Sequence, residues 1–259
     1  MSARILSLSR VFLTVVIATL LASSCITVPE ARKKEADARM RMGVTYLDQD
    51  NIPMAMKELH RASELDSTNP EIDMMLGIAY RARGDSDKAE AHLRNAVSKN
   101  PDYAEAHNNL GVVLADRKAW DEAIREFRKA YENVQYQTPE RAIYNAAEAY
   151  RHQGDAKQAE EQYRQAIRFS PGYGPACTAL ASILFERDEK REAEDCLVQC
   201  LKSSPDYAEG WMQLGRMYVA LKRRSDATNA FKKVLSISED PEIKKQASWY
   251  LAVLGAERR

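Results

Sequence analysis

Histidines and cysteines are the residues of this chain with the widest range of possible chemistry, because they bind metals, act as bases or nucleophiles, and form disulfides. No two histidines stand at metal-ligand spacing on one helix, and the motifs HExxH, CxxC and GxGxxG are absent from the sequence. No nucleophile stands beside a base. We therefore predict a protein that is not an enzyme and that binds no metal or other cofactor. The residues concerned are His60, His92, His107, His152, Cys25, Cys177, Cys196 and Cys200.

The composition excludes several classes of protein. The chain has 259 residues, of which 45% are hydrophobic, and this is enough to form a core. Lys plus Arg and Asp plus Glu each number 38, so the formal net charge is zero, whereas nucleic-acid binding proteins carry a basic excess. Ten Gly and nine Pro are few for the many turns of an all-β fold. We expect neither a nucleic-acid partner nor a small-molecule substrate.

Residues 1–24 have the features of a lipoprotein signal peptide. Arg4 and Arg10 precede an apolar run over 11–22, which is shorter than the ~20 residues that span a bilayer. Small residues end the run directly before Cys25, and this arrangement resembles a bacterial lipobox. We predict cleavage before Cys25 and a covalent diacylglycerol and fatty acid on it. Ordinary cleavage that leaves a free cysteine is the alternative.

The lipid on Cys25 predicts where the protein resides. Residue 26 is Ile and not the Asp that retains enterobacterial lipoproteins at the inner membrane. The expected location is therefore the outer membrane, lipid-anchored and facing the periplasm. Residues 25–35 are predicted to be the lipidated cysteine and its tether.

The remaining chain repeats with a period of 34 residues, and one insertion, 138–139, separates the third unit from the fourth. Position 8 of each unit is Gly or Ala, and position 20 is Ala in all six units. Position 24 carries a large apolar or aromatic side chain in each unit. The six predicted units are 36–69, 70–103, 104–137, 140–173, 174–207 and 208–241.

Each unit has the periodicity of two helices joined by a turn. Positions 4, 7, 8 and 11 form one helical stripe, and positions 20, 24 and 27 form another. Gly84 and Gly154 mark the turn at position 15, and Asn69-Pro70 and Thr138-Pro139 have the form of an N-cap followed by a first-turn proline.

This pattern resembles the tetratricopeptide (TPR) repeat. We predict an all-α fold, a TPR superhelix of six helix-turn-helix repeats. Residues 242–259 are predicted to be a C-terminal capping helix and tail, because the last repeat otherwise exposes its apolar face. The helical stripe of this cap consists of Ile243, Ala247, Tyr250, Leu251 and Leu254.

Three cysteines fall in the fifth unit. Cys196 and Cys200 are four residues apart on a predicted helix, but no His or third Cys lies beside them in sequence to complete a metal site. Cys200 occupies position 27, which is Ala in four units, so a small core residue is the favoured interpretation. A disulfide between Cys177 and Cys200 is the alternative, and it requires Cα atoms within about 7 Å.

TPR proteins bind partners along the concave face of their first helices, at positions 2, 5, 9, 12 and 13. In this chain those positions are apolar in the first half and charged from the fourth repeat onward. We predict that this apolar patch is exposed and binds a partner. The alternative is that the tether or neighbouring side chains cover the patch. TPR domains that clamp a C-terminal carboxylate carry Lys at 5 and Asn at 9 in the first repeat, where this chain has Met40 and Val44. The candidate partner-binding residues are Met40, Val44, Leu47, Met74, Ile78, Asn108, Val112, Ala115, Tyr144 and Arg151.

Six TPR repeats behind a lipoprotein signal resemble the type IV pilus pilotins of the PilF, PilW and Tgl type. Two stretches carry this resemblance, Asn108 to Gly111 and Tyr136 to Asn145. The resemblance implies a non-catalytic pilotin that binds secretin subunits, escorts them to the outer membrane and promotes secretin multimer assembly for type IV pilus biogenesis. The alternative is a TPR lipoprotein scaffold for outer-membrane protein assembly or for peptidoglycan hydrolases.

Overall fold

The computed structural model describes residues 28–256, and this part of the chain forms thirteen α-helices and no strand. The predicted signal peptide and Cys25 lie outside the described residues. None of the helices is a candidate for crossing a membrane by its length and apolar character. The helices are α1 (Glu30–Asp48), α2 (Ile52–Leu65), α3 (Pro70–Ala82), α4 (Ser86–Lys99), α5 (Ala104–Asp116), α6 (Trp120–Glu132), α7 (Pro139–Gln153), α8 (Ala156–Phe169), α9 (Gly174–Glu186), α10 (Lys190–Ser203), α11 (Ala208–Ala220), α12 (Arg224–Ile237) and α13 (Pro241–Ala256).

Six helix pairs, from α1–α2 to α11–α12, pack one after another, and α13 packs against α12 and α11. The predicted all-α fold is confirmed. Two large apolar clusters form most of the core and meet at α7, where Ala149 packs into the first cluster and Ala147 into the second. A third, small cluster contains Ala104, Ala130, Tyr136 and Ala142. The core is therefore continuous along the stack, as expected when each repeat buries its apolar face against its neighbours.

A small residue in each first helix faces a large residue in the second helix of the same pair. A Cβ atom on Gly111 would lie 2.6 Å from Cε1 of Phe127, and one on Gly215 would lie 2.6 Å from Cε1 of Phe231. Glycine is required here because the rings pack directly against the helix backbone. The alanines at position 20 have no exposed surface, which confirms the predicted helix contact. They are Ala55, Ala89, Ala123, Ala159, Ala193 and Ala227.

The turn within each pair contains one residue in the left-handed conformation. Gly84 has φ 83° and Gly154 has φ 84°, as their place in the predicted turn suggests. The same position in the other pairs is occupied by residues with a Cβ atom, for which this conformation is unfavourable. Those residues are Asp50 (φ 55°), Lys118 (φ 62°), Asp188 (φ 66°) and Lys222 (φ 58°).

The two predicted cap-and-proline starts differ in detail. Oδ1 of Asn69 accepts a hydrogen bond from the backbone N–H of Glu71 at 2.8 Å, directly before α3 begins at Pro70. Pro139 also begins a helix, but the side chain of Thr138 makes no capping hydrogen bond. Only the first start is therefore a side-chain cap.

The first helix begins earlier than the repeat pattern predicts. α1 starts at Glu30, so residues 30–35, predicted as part of the tether, are helical. Pro29 precedes the helix, and no proline or glycine interrupts its first turns. Glu30 and Lys34 form an i,i+4 ion pair at 3.9 Å, and Arg32 donates a hydrogen bond to the carbonyl of Glu64 in α2 at 3.0 Å.

The last helix closes the stack as predicted. Ala247 and Leu254 of α13 are buried, and Ile243, Tyr250 and Leu251 pack against the second core cluster. The ring of Tyr250 stacks on Phe231 of α12 with centroids 4.6 Å apart.

Candidate protein-binding groove

The first helices of successive pairs contact one another and form one face of the stack, from α1 to α3, α5 and α7, and from α9 to α11 and α13. Clefts open on this face between neighbouring first helices. A cleft of about 220 Å³ between α5 and α7 is lined by Val112, Ala115 and Glu148. Another of about 190 Å³ between α9 and α11 is lined by Phe185 and Arg216. Positions 9 and 12 of the repeat therefore line an open groove.

Five of the predicted binding residues form an apolar strip on this face, and we refer to them as the apolar groove. All five are partly exposed, and Val44 and Leu47 lie on α1, Ile78 on α3, and Val112 and Ala115 on α5. Four of them, Leu47, Ile78, Val112 and Ala115, also pack against the first core cluster. Position 9 changes from aliphatic to charged at the fourth repeat, where Glu148 takes the place of Val112, so the apolar groove ends at α5.

Three predicted binding residues are not exposed. Met40 is 7% exposed, Met74 5% and Asn108 8%. The expectation that they face solvent is wrong, because position 5 lies where successive first helices contact each other. Both methionines belong to the first core cluster. Oδ1 of Asn108 accepts a hydrogen bond from Nδ2 of Asn145 in α7 at 3.0 Å. These residues hold α1, α3, α5 and α7 together beneath the groove.

Polar and aromatic pairs border the apolar groove, and the repeat pattern did not identify them. Nε of Arg81 in α3 donates to Oδ2 of Asp116 in α5 at 2.8 Å, and both side chains are about half exposed. The ring of Trp120 stacks on His152 with centroids 4.9 Å apart. The partners in these pairs are more than 30 residues apart, so no local sequence signal identifies them.

The charged residues of the fourth repeat bind each other. Arg151 is exposed, but its guanidinium donates to Oε2 of Glu148 at 2.6 Å, and this hydrogen bond raises the pKa of Arg151. Tyr144 is half-buried, its ring centroid lies 5.7 Å from that of Tyr173, and burial raises its pKa to about 12. Tyr163 donates a hydrogen bond to the same Glu148. These contacts make the fourth repeat a self-contained polar cluster beside the apolar groove.

Cys177 and Cys200 form a disulfide with their Cα atoms 6.3 Å apart. The favoured prediction, that Cys200 is only a small core residue, is therefore wrong, although Cys200 is buried as expected. The bond forms because positions 4 and 27 face each other across the α9–α10 pair. The thiol of Cys196 is free, lies 3.8 Å from the carbonyl oxygen of Cys177, and has a pKa raised to about 11 by burial.

The histidines take part in pairs between side chains. Nε2 of His60 lies 3.0 Å from the hydroxyl of Tyr80, and Nδ1 of His107 lies 2.5 Å from Oε2 of Glu126. Among residues 28–256, no group of three or more His, Cys, Asp or Glu side chains is placed to hold a metal ion.

Comparison with sequence families identifies the repeat. A tetratricopeptide-repeat profile matches residues 113–245 of the 259-residue chain, and a second profile of the same description matches residues 74–138. The chain belongs to the tetratricopeptide-repeat family. The helix pairs and the packing of position 8 on position 24 are thus those of TPR repeats, and the predicted TPR superhelix is confirmed.

Within this family the TPR chain is similar to proteins of the type IV pilus. It is 22% identical over 160 residues to the type IV pilus assembly protein PilF of Pseudomonas aeruginosa, which covers 62% of this chain and 64% of that protein. The match thus spans less than two thirds of the relative. The predicted resemblance to proteins of the PilF and PilW type is confirmed at this level.

Two solved structures have the same fold. The structure of Pseudomonas aeruginosa PilF matches with a TM-score of 0.70 at 18% identity, covering 84% of this chain and 98% of that one. The structure of PilW, described as a widely conserved type IV pilus biogenesis factor, matches with a TM-score of 0.66 at 21% identity. This match covers 81% of this chain and 97% of that one. At these identities the matches establish the superhelical fold.

Proposed function

We propose that this TPR protein acts in type IV pilus biogenesis as a protein-binding factor and that its apolar groove holds the partner. The observation that carries the proposal is the apolar groove, whose aliphatic side chains remain partly exposed on three neighbouring helices. Exposed apolar strips with polar borders are typical of protein-binding surfaces. The similarity to PilF and PilW supports the biological process.

The partner in this proposal is a subunit of the secretin, the outer-membrane channel of the pilus, as the pilotin resemblance implies. Three neighbouring helices with axes about 8–10 Å apart give the groove a length of roughly 20 Å. That length accommodates about 13 residues of a helix or about six of an extended strand. We therefore expect a short segment of the secretin, apolar on one face, to bind, and the bound subunits to reach the outer membrane and assemble into multimers there.

The lipid anchor is the second component of the proposal. Cys25 would carry the lipid, and α1 begins at Glu30, so only the four residues 26–29 separate the lipid-bearing residue from the first helix. The five Cα–Cα steps from residue 25 to residue 30 reach at most ~18 Å when extended, which holds the first repeat close to the membrane. Two or more acyl chains supply stable anchoring. Cys25→Ala should give a folded protein that is soluble or unprocessed, and membrane fractionation tests this. Unchanged outer-membrane fractionation of the variant would contradict the anchor.

Site-specific photo-crosslinking in living cells tests the partner. The experiment compares a photoreactive amino acid at position 78 in the groove with one at position 125 on α6. Arg125 is exposed and serves as the matched control. A secretin adduct from position 78 alone supports the proposal. An adduct with an outer-membrane assembly protein or a peptidoglycan hydrolase supports the alternative function. Adducts from position 125 but not from 78 would show that the partner binds on another face.

A further inference from the structure

The last helix carries exposed apolar side chains that the cap of a repeat protein does not require. Trp249 is 61% exposed and Val253 is 38% exposed. They lie one turn apart on α13. Terminal repeats normally present a polar outer face to water. An exposed tryptophan at this place therefore calls for a function other than capping.

A cavity of about 500 Å³ opens beside these two residues, within the size range of ligand-binding pockets. Trp249, Val253 and Leu254 line it from α13, and Val219 lines it from α11. The aromatic floor is held in place by ring contacts. Tyr250 stacks on Phe231, and Trp249 meets the ring of Tyr250 edge-on with centroids 4.9 Å apart. The cavity is thus a preformed apolar pocket, which we name the C-terminal pocket.

An exposed cation lies at the C-terminal pocket. Lys222 belongs to the pocket lining, and no carboxylate belongs to it among residues 28–256. Lys222 is exposed and has a left-handed backbone conformation. Its backbone N–H donates a hydrogen bond to the carbonyl of Val219 at 3.0 Å, and this holds Lys222 at the turn beside the pocket. A second copy of the same face would bring two Lys222 ammonium groups together, which is unfavourable. Charge complementarity instead favours an occupant that carries an acidic group.

We propose that the C-terminal pocket binds a peptide segment of a partner protein in which a large apolar or aromatic side chain stands next to an acidic residue. The apolar side chain fills the space between Trp249 and Val253. The carboxylate meets the ammonium group of Lys222. Buried aromatic anchors with a neighbouring charge dominate the free energy of binding at many interfaces. The pocket lies on α11 and α13, whereas the apolar groove lies on α1, α3 and α5, so this is a second binding site beyond the proposed function.

Selection from a random library of 12-residue peptides displayed on phage tests the proposal with the purified protein as target. The selected peptides are then synthesised, and their affinity is measured by fluorescence anisotropy. Trp249→Ala and Lys222→Glu should each weaken binding by about tenfold or more. Val253→Asp is a second pocket variant in case Trp249→Ala does not fold. Lys118→Glu is the matched control, because Lys118 occupies the same turn position in the third repeat and should leave affinity unchanged.

The expected result is a set of peptides that share an acidic residue beside a large apolar one and that lose affinity in the pocket variants. The proposal is overturned if no peptide is selected, if the selected peptides lack this pair, or if they bind the pocket variants as tightly as the parent. Peptides whose binding is lost in Ile78→Glu and retained in Trp249→Ala would assign the interaction to the apolar groove and also overturn it.

Discussion

Oδ1 of Asp73 in α3 lies 2.9 Å from Nδ1 of His92 in α4, and the two residues are 19 positions apart. The same separation joins a polar pair across each of the first three helix pairs. In the fifth repeat these positions hold Cys177 and Cys196, whose thiol contacts the Cys177 carbonyl. One position in the first helix thus pairs with one position in the second in the first three repeats and in the fifth. The other two polar pairs are Arg39–Glu58 at 2.9 Å and His107–Glu126 at 2.5 Å.

The Asp73 pair predicts a pH dependence of stability. Burial by itself would raise the pKa of Asp73, but hydrogen bonds and charge from His92 and Lys99 outweigh it and lower the pKa. The stability contributed by the ionised carboxylate is therefore present above the unfolded-state pKa of about 3.9 and is lost as pH falls through the lower folded-state pKa. Asp73→Asn should reduce the free energy of unfolding by ~1–3 kcal/mol at pH 7 and by less near pH 2.

Urea denaturation at both pH values measures this effect, with Asp206→Asn at an exposed carboxylate as the control. An Asp73→Asn variant whose loss of stability is the same at pH 2 and pH 7 would contradict the assigned role of the carboxylate.

Ala123→Leu should destabilise the protein by ~1–3 kcal/mol, because Ala123 has no exposed surface and the added carbons overpack the α5–α6 contact. The loss should affect the whole stack, since each repeat depends on its neighbours. Thermal unfolding followed by circular dichroism measures it. Ala38→Leu, at an exposed position of α1, is the control. Equal melting of Ala123→Leu and the parent would show that the repeat register is wrong.

Lys118→Gly should stabilise the protein by about 0.5–1 kcal/mol. Lys118 has φ 62°, a conformation that costs a residue with a Cβ atom roughly 1–2 kcal/mol and costs glycine little. Part of this gain is offset by the greater entropy of glycine in the unfolded chain. Lys57→Gly, at an exposed site inside α2, should instead destabilise by a similar amount. Chemical denaturation of both variants tests the pair, and a loss of stability in Lys118→Gly would refute the turn assignment.

The disulfide between Cys177 and Cys200 should stabilise the protein by roughly 3 kcal/mol, so reduction should lower the denaturation midpoint. In denaturant without reductant, an alkylating reagent should modify Cys196 and leave the other two cysteines of the fifth repeat unmodified. In the native protein Cys196 should react slowly, because burial raises its pKa to about 11. Peptide mass spectrometry reads out each site, and alkylation of all three cysteines would disprove the bond.

Ile78→Glu should weaken partner binding by orders of magnitude, because the bound partner would bury an unpaired carboxylate. Ile78 is partly buried against the core, so we expect a loss of about 1 kcal/mol in stability with helical content retained. Binding to purified secretin subunits and secretin multimer formation in cells are the measurements.

The charge control for Ile78→Glu is best placed at Arg125. Glu122 of the same helix is less suitable because it accepts a hydrogen bond from Arg94 at 3.1 Å, whereas Arg125 is exposed. Unfolding of Ile78→Glu would show that the strip is core. A folded variant that still assembles the secretin would move the site to the cluster around Tyr144 and Arg151.

The repeat period by itself determined the helix pairs and much of the core. Positions 8 and 24 of a unit face each other because they lie on facing stripes of two helices joined by a short turn. Gly111 and Phe127 are this pair in the third unit. The same local geometry made Val44, Ile78 and Val112 predictable as groove residues. Helical periodicity and turn length act over a few residues, and these are what a sequence displays.

Contacts between successive repeats were decided by the tertiary structure. Met40, Met74 and Asn108 are buried because the first helices of neighbouring repeats approach each other closely. The sequence of a single repeat does not specify that distance. The disulfide between Cys177 and Cys200 could be assigned only from the distance between them across the α9–α10 pair. Their separation in sequence is equally compatible with two unbonded cysteines packed in the core. Trp249 is exposed because α12 covers only one side of α13, and the side it covers depends on how the last helix is rotated on the stack.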